Sequence, residues 1–263
     1  MILYFSGTGN TSRVARQLAT LMGDEAYDLT RSDAAFSGLH TAPRSEHLGL
    51  VFPVYAWGPP PLFLERLLRF LSQWQEAVGA QSRQPYLYAL CTCGDDIGCT
   101  MRVLSRALAP LSLTLQAQVS VQMPQTYVAL PFFNLDTPAR VTEKERAAVK
   151  QLEEVAMRLR RKEVFRSIVP GLFPFVKTYV LRPVFNRWLI KPRFFKVADS
   201  CTRCGVCAKC CPMHNVGMSA DGPVFGAQCA GCLSCYHHCP QNAIGYLHAV
   251  HKAQYRPGSR LTR

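Results

Sequence analysis

The stretch Met1-Ile-Leu-Tyr-Phe-Ser-Gly-Thr-Gly-Asn-Thr-Ser12 opens the chain and decides its fold. Its apolar half predicts a short buried strand, and its small and hydroxyl residues lead into a helical pattern at residues 10–21. Such a turn lets the backbone wrap an anion, because hydroxyls and the N–H groups of the helix N-terminus can donate to it. The stretch therefore predicts a phosphate site. It has neither the lysine of a P-loop nor the third glycine of the dinucleotide fingerprint, so neither ATP nor NAD is favoured.

The segments that follow, up to residue 163, continue the alternation of strand and helix. Strand-like runs at 48–55, 85–91 and 111–123 alternate with helical patterns at 60–75, 99–109 and 142–162. This alternation predicts an α/β fold, with a parallel sheet covered by helices on both faces.

The cysteines are concentrated near the other end of the sequence. Nine of the twelve lie in two runs offset by 28 positions, Cys-Thr-Arg-Cys-Gly-Val-Cys-Ala-Lys-Cys-Cys-Pro from Cys201 and Cys-Ala-Gly-Cys-Leu-Ser-Cys-Tyr-His-His-Cys-Pro from Cys229. Both contain the spacing C-x2-C-x2-C-x3-C-P of proteins that hold two [4Fe-4S] clusters. Three thiolates on one tight loop can reach three corners of one cubane, while the fourth thiolate of the run points toward the second cubane. Zinc is the alternative for CxxC pairs, but two consecutive runs of this spacing disfavour it.

The cysteine runs resemble those of bacterial two-cluster ferredoxins. The resemblance implies that the fourth ligand is exchanged between the runs. Cys210 makes the first run ambiguous, and Pro212 together with the second run favours Cys211 as the ligand. The implied ligands are Cys201, Cys204, Cys207 and Cys239 for cluster I, and Cys229, Cys232, Cys235 and Cys211 for cluster II.

The pattern Ser-x-Thr-Gly-x-Thr at residues 6–11 resembles the phosphate loop of flavodoxins. The resemblance implies a doubly wound parallel sheet of strand order 2-1-3-4-5 that binds FMN at the carboxyl ends of its strands. It also implies flavin-ring contacts in two later loops, with Tyr55 or Trp57 stacking on the ring and Gly94 allowing close backbone approach. The alternative for these loops is ordinary strand-to-helix turns with one buried aromatic. The implied FMN-binding residues are Ser6, Gly7, Thr8, Gly9, Asn10, Thr11, Pro53, Val54, Tyr55, Ala56, Trp57, Gly58, Thr92, Cys93 and Gly94.

The whole chain resembles fused flavodoxin and ferredoxin proteins. This implies a flavodoxin-like FMN-binding domain at 1–163, a linker at 164–193 and a small α+β ferredoxin-like domain at 194–263. Residues 164–198 contain seven basic residues, eight aromatics and no acidic residue. This segment either packs its aromatics between the domains or forms a surface for anionic lipid or an acidic redox partner. An aromatic loop at 124–140 either covers the flavin or docks the cluster domain.

The formal charge of +13 would fall to roughly +7 with two clusters and a phosphate bound. A basic surface attracts acidic partners, anionic membranes or nucleic acid, but no nucleic-acid reader is recognisable and we expect no such partner. The opening residues do not match a secretory signal, and cysteines acting as ligands suit a reducing compartment, so we expect a cytoplasmic protein.

These features predict an electron-transfer protein that passes electrons between FMN and two [4Fe-4S] clusters and to or from redox proteins. The alternative is a flavin-dependent reductase of a small acceptor, such as a quinone, that is fed by the clusters. No catalytic side chain is predicted.

Overall fold

The structure is a computed structural model that describes residues 1–30, 46–78, 84–250, 252–258 and 261. Most of the chain forms one parallel sheet with helices on both faces. The residues from 195 onward form a smaller part with two antiparallel strand pairs.

The larger sheet contains β1 (Ile2–Tyr4), β2 (Ala26–Asp28), β3 (His47–Pro53), β4 (Tyr86–Cys93), β5 (Ala117–Gln122) and β6 (Phe165–Ser167). Its helices are α1 (Asn10–Met22), α2 (Pro61–Val78), α3 (Thr100–Leu108) and α4 (Pro138–Arg160). A helical segment follows, built from α5 (Pro174–Val176), a π-helical turn (Lys177–Leu181) and α6 (Arg182–Trp188). The smaller part contains β7 (Phe195–Val197), α7 (Val206–Lys209), β8 (Val216–Ser219), β9 (Gly222–Phe225), α8 (Ser234–His238) and β10 (Ile244–Tyr246).

The strand order of the larger sheet is β2-β1-β3-β4-β5-β6, and all of its pairs are parallel. Ile2 pairs with Ala26 on one side and with Gly49 on the other, so the order reverses at β1. The predicted flavodoxin-like doubly wound sheet is therefore confirmed. The structure adds a sixth strand at the edge, inside the segment that the sequence predicts to be a linker.

Two apolar layers enclose this sheet because its central strands are buried on both faces. All eight residues of β4 are buried. Alternate residues of a strand pack into opposite layers. Leu87 packs with α2 and α3, whereas Tyr88 packs with α1 and α4. The layers fix the carboxyl ends of β1, β3 and β4 at one edge of the sheet.

The smaller part has its own core. β7 pairs with β10, β8 pairs with β9, and the rings of Phe195 and Phe225 stack 3.9 Å apart across the two pairs. Val128 and Ala129, from the loop after β5, are buried in the same core. The loop after β5 thus joins the two parts.

No helix in the described residues is long and apolar enough to span a membrane.

Candidate functional site

A cavity of about 320 Å³ lies at the carboxyl edge of the sheet. It faces the ends of β1, β3 and β4, where the strand order reverses. In open α/β sheets this reversal is where ligands bind. The cavity brings together all three predicted flavin loops: of the predicted residues, all except Ser6, Gly9 and Gly58 line it.

The first loop leads from β1 into α1 through Gly9, whose φ of 104° favours glycine. The hydroxyls near it are largely engaged within the protein. Ser6 Oγ accepts from the N–H of Ser12 at 3.2 Å, and Thr11 Oγ1 lies 2.8 Å from Thr92 Oγ1. The Thr8 side chain lines the cavity. The N-terminus of α1 and Thr8 are thus the parts of this loop best placed to receive an anion.

The second loop is a tight turn after β3. Tyr55 and Gly58 exchange two backbone hydrogen bonds, of 2.9 and 3.3 Å, and Ala56 and Trp57 have φ values of 46° and 57°. Non-glycine residues in this region carry backbone strain, which must be offset by surrounding contacts. Thr178 supplies one such contact, since its hydroxyl donates to the carbonyl of Trp57 at 2.8 Å.

The third loop follows β4 and is fastened to α4. Lys144 Nζ donates to the carbonyl of Gly94 at 2.8 Å and to the Asp136 carboxylate at 2.7 Å. Asp136 also accepts from the N–H of Gln125 at 2.8 Å. A Cβ added to Gly94 would lie 2.8 Å from Gln125 Oε1, so a larger residue here would displace the Gln125 side chain. Cys99 is the N-cap residue of α3, and Asp96 pairs with Lys177 at 2.6 Å.

The remaining walls come from segments outside the three predicted loops. They are Met123–Tyr127, Leu130 and Phe133 of the loop after β5, Phe185 and Ile190 of the helical segment and its continuation, and Ala230, Gly231 and Cys232 of the second cysteine run. The loop after β5 therefore both lines the cavity and contacts the smaller part of the chain.

Cys232 packs directly against the first loop. A Cβ added to Gly7 would lie 2.6 Å from Cys232 Cβ, 3.3 Å from its Sγ and 2.5 Å from the Tyr55 hydroxyl. Burial, together with the Cys232 and Cys229 thiols, raises the pKa of Tyr55 and keeps its phenol protonated. The predicted phosphate loop is therefore in direct contact with a predicted cluster ligand.

The predicted ligands of cluster I surround a small cavity of their own. Cys201, Cys204, Cys207 and Cys239 all line a space of about 20 Å³. The N–H of Ala243 donates to Cys239 Sγ at 3.3 Å. A backbone N–H of Val206 lowers the pKa of the exposed Cys204 thiol.

The predicted ligands of cluster II are electrostatically coupled. Burial raises the pKa of the Cys232 and Cys235 thiols, and neighbouring cysteines raise it further, Cys210 as well as Cys229 and Cys211. The N–H of Asn215 donates to Cys211 Sγ, and that of Gly231 donates to Cys229 Sγ, both at 3.3 Å. Buried thiols with raised pKa values need a cation to become thiolates, and iron would supply that charge.

Cys210 is oriented differently from Cys211. Its thiol donates to the carbonyl of Cys207 at 3.6 Å, and burial raises its pKa to about 11. In contrast, Cys211 Sγ accepts a backbone hydrogen bond, as the sulfurs of cluster ligands do.

Within the described residues, no three His, Cys, Asp or Glu side chains converge on the position of a single metal ion. The ligands of a cubane bind different iron atoms, so their sulfurs surround a volume and not a point. The predicted set of cluster I meets this condition, because its four cysteines line one common space. The larger cavity fits a flavin, because its size is within the range of ligand sites and it lies where the strand order reverses.

A C-terminal segment, residues 252–257, lies over the phosphate loop. Tyr255 Oη donates to Asn10 Oδ1 at 2.8 Å, and a Cβ added to Gly9 would lie 2.8 Å from Pro257 Cγ. The N–H of Tyr255 also donates to His237 Nδ1 at 3.1 Å, which ties this segment to α8. Sequence reasoning missed this segment because nothing in its composition marks it as part of a site.

The strand order and the cavity at its reversal define a flavodoxin-like α/β protein with an appended cysteine-rich part. A scan of protein-family models and a search of curated proteins found no match. Among solved structures, Trp repressor binding protein from Bacillus subtilis is 14% identical, with a TM-score of 0.41, and the match covers 59% of this chain and 96% of that one. A protein from Bacteroides eggerthii, provisionally classed as a flavoprotein, is 17% identical, with a TM-score of 0.27, and the match covers 41% of this chain and 79% of that one. These TM-scores are low, so the fold assignment rests on the strand order.

Proposed function

We propose that the chain is an electron-transfer protein in which FMN exchanges electrons with two [4Fe-4S] clusters and, through them, with redox partner proteins. The contact between Gly7 and Cys232 carries this proposal. It makes a ligand of cluster II part of the wall of the flavin cavity. FMN accepts one or two electrons and each cluster accepts one, so their combination couples partners of both kinds.

The chain's own residues would hold and orient these groups. The N-terminus of α1 and Thr8 would bind the phosphate, and Tyr55 and Trp57 would border the ring. Lys144 fixes the third loop through the Gly94 carbonyl. The ligands would be Cys201, Cys204, Cys207 and Cys239 for one cluster and Cys211, Cys229, Cys232 and Cys235 for the other.

Anaerobic stopped-flow spectroscopy tests the proposal. Protein reduced with dithionite is mixed with oxidised cytochrome c, and the flavin and cluster absorbances are followed. In the wild type, the flavin and the clusters are expected to be reoxidised together. In Cys235→Ala, which removes a ligand of cluster II, flavin reoxidation is expected to slow, whereas Cys210→Ala should behave as the wild type. Unchanged flavin reoxidation in Cys235→Ala, with cluster II absent, would contradict the proposal.

A second candidate function is reduction of a small acceptor at the flavin. One observation favours it: the cavity extends beyond the three loops to the apolar side chains of Leu130, Phe133 and Phe185. These side chains offer a surface for a flat acceptor such as a quinone. Steady-state turnover with a free quinone, in the absence of any protein acceptor, would favour this candidate over the carrier.

A further inference from the structure

The helical segment Pro174–Trp188 has the opposite amphipathicity to the helices of the sheet. Helices of a globular protein turn their apolar side to the core. The side chains that anchor this segment to the loops of the sheet are polar, and Phe185 is the apolar side chain that reaches the cavity. Thr178 is buried, its Oγ1 accepts from the N–H of Cys99 at 2.8 Å, and Lys177 pairs with Asp96. Arg182 donates to the carbonyl of Pro59 at 2.6 Å.

The outward side of the segment is apolar. Val176, Val180, Val184 and Trp188 recur every fourth residue and are exposed, as is Phe173 just before the segment. Their exposure is large: 75% for Phe173, 56% for Val180 and 60% for Trp188. The π-helical turn precedes Pro183, which has no N–H to continue the hydrogen-bond ladder. We call Phe173, Val176, Val180, Val184 and Trp188 the apolar stripe.

Basic side chains flank the apolar stripe. Arg102 and Arg106 of α3 lie over the rings of Phe175 and Tyr179, at 5.3 and 5.7 Å from their centroids. Arg187 is exposed between stripe residues. No acidic residue occurs from 164 to 198. The long stems of arginine can remain among apolar groups while their charged ends reach lipid phosphates.

We propose that this face docks on the surface of an anionic membrane, with the apolar stripe inserted at the level of the headgroups. An exposed apolar stripe, a Trp at its end and a flanking set of cations are the features of helices that lie in a bilayer interface. Charge complementarity selects anionic lipid, since Arg102, Arg106 and Arg187 are exposed beside the stripe. The acidic neighbour Asp96 is paired with Lys177. The same segment borders the flavin cavity through Phe185, so docking would turn one wall of the cavity toward the membrane.

Vesicle flotation of the full-length protein tests this proposal. Vesicles containing equal parts of phosphatidylglycerol and phosphatidylcholine are compared with vesicles of phosphatidylcholine alone. We expect the protein to float with the anionic vesicles only. The triple variant Phe173→Asn/Val180→Ser/Trp188→Ser should lower the bound fraction about tenfold. Asn is chosen at position 173 because Phe173 has a φ of 50°, which Asn tolerates.

Two matched controls test whether vesicle binding is specific to this face of the protein. Met157→Ser/Val224→Ser changes equally exposed apolar residues on α4 and β9 and should leave flotation unchanged. For charge, Arg102→Glu/Arg187→Glu should abolish flotation, whereas the exposed α4 pair Arg146→Glu/Lys150→Glu, with the same change in net charge, should retain most of it.

Quenching of tryptophan emission by brominated lipid gives a direct readout. Trp74 is buried and Trp57 is partly buried, so Trp188 is the exposed tryptophan. Quenching in the wild type should disappear in Trp188→Phe. Equal flotation with both kinds of vesicle, equal losses in the stripe and control variants, or quenching that survives Trp188→Phe would each overturn the proposal. A dimer that the triple variant abolishes would also overturn it, because a second copy would then cover the stripe.

Discussion

Gly7 and Cys232 are in van der Waals contact, although 225 residues separate them in the sequence. Gly7 belongs to the loop that resembles a phosphate site, and Cys232 belongs to the second cysteine run. The absence of a side chain at Gly7 lets the cysteine run approach the cavity. In the proposed function, this contact would join a flavin and a cluster in one electron path.

Gly7→Ala should weaken FMN binding by about tenfold, because the new Cβ would meet Cys232 Cβ and the Tyr55 hydroxyl, and overpacking of this kind costs roughly 1–3 kcal/mol. Quenching of FMN fluorescence on titration measures the effect. Gly217→Ala is the control, since a Cβ at Gly217 meets nothing within 4 Å. Equal FMN affinity in the wild type and in Gly7→Ala would show that the first loop is not part of the flavin site.

The two adjacent cysteines should differ in their effect on iron content. Cys211→Ala should reduce the iron from about eight to about four atoms per chain, because it removes a ligand of cluster II. Cys210→Ala should keep the full content, since the Cys210 thiol is engaged with the Cys207 carbonyl. Iron and sulfide assays of the anaerobic proteins measure this. The reverse pattern would assign Cys210 as the ligand.

Lys144→Met should lower the free energy of unfolding by about 2 kcal/mol, because it removes a buried cation from Asp136 and a donor from the Gly94 carbonyl. Urea denaturation of the flavin-free protein measures the change. Lys150→Met, exposed on the same helix, should stay within about 0.5 kcal/mol of the wild type. The double variant Lys144→Met/Asp136→Asn should recover part of the loss, because the uncompensated charge is gone. A loss no larger than that of Lys150→Met would contradict this role.

Tyr255→Phe should weaken FMN binding about fivefold, because Tyr255 Oη donates to Asn10 and holds the C-terminal segment over the phosphate loop; a hydrogen bond of this kind contributes about 1 kcal/mol. Titration of the flavin-free protein with FMN measures this. Tyr179→Phe removes a hydroxyl on the exposed helical segment and serves as the control. An unchanged affinity in Tyr255→Phe would mean that the C-terminal segment does not act on the phosphate loop.

The sequence predicted the parts of the fold that depend on local pattern. The alternation of apolar runs was sufficient for a parallel sheet covered by helices, and Gly9 marked the turn into α1 correctly. The doubly wound strand order came from the resemblance of residues 6–11 to the phosphate loop of flavodoxins. β2 and β6 were not located, because they are short edge strands that are mostly not buried and so lack a run of apolar residues. The three flavin loops meet because the carboxyl ends of parallel strands share one edge of the sheet.

The walls that the sequence did not predict come from long-range contacts. Phe185 and the 230–232 loop reach the cavity, and Tyr255 reaches the phosphate loop, from segments distant in sequence. No local periodicity specifies such approaches. The sequence likewise did not predict the inverted amphipathicity of the helical segment. Its composition was plainly basic and aromatic, but which side faces the protein depends on the anchors at Thr178 and Arg182.

The cofactor content of the protein purified without oxygen tests the central claim most directly. Iron, sulfide and FMN are measured per chain, together with EPR spectra after reduction with dithionite. We predict about eight irons, one FMN and interacting signals from two reduced clusters. Zinc in place of iron, or full iron with no flavin bound even after added FMN, would contradict an electron path from a flavin to the clusters.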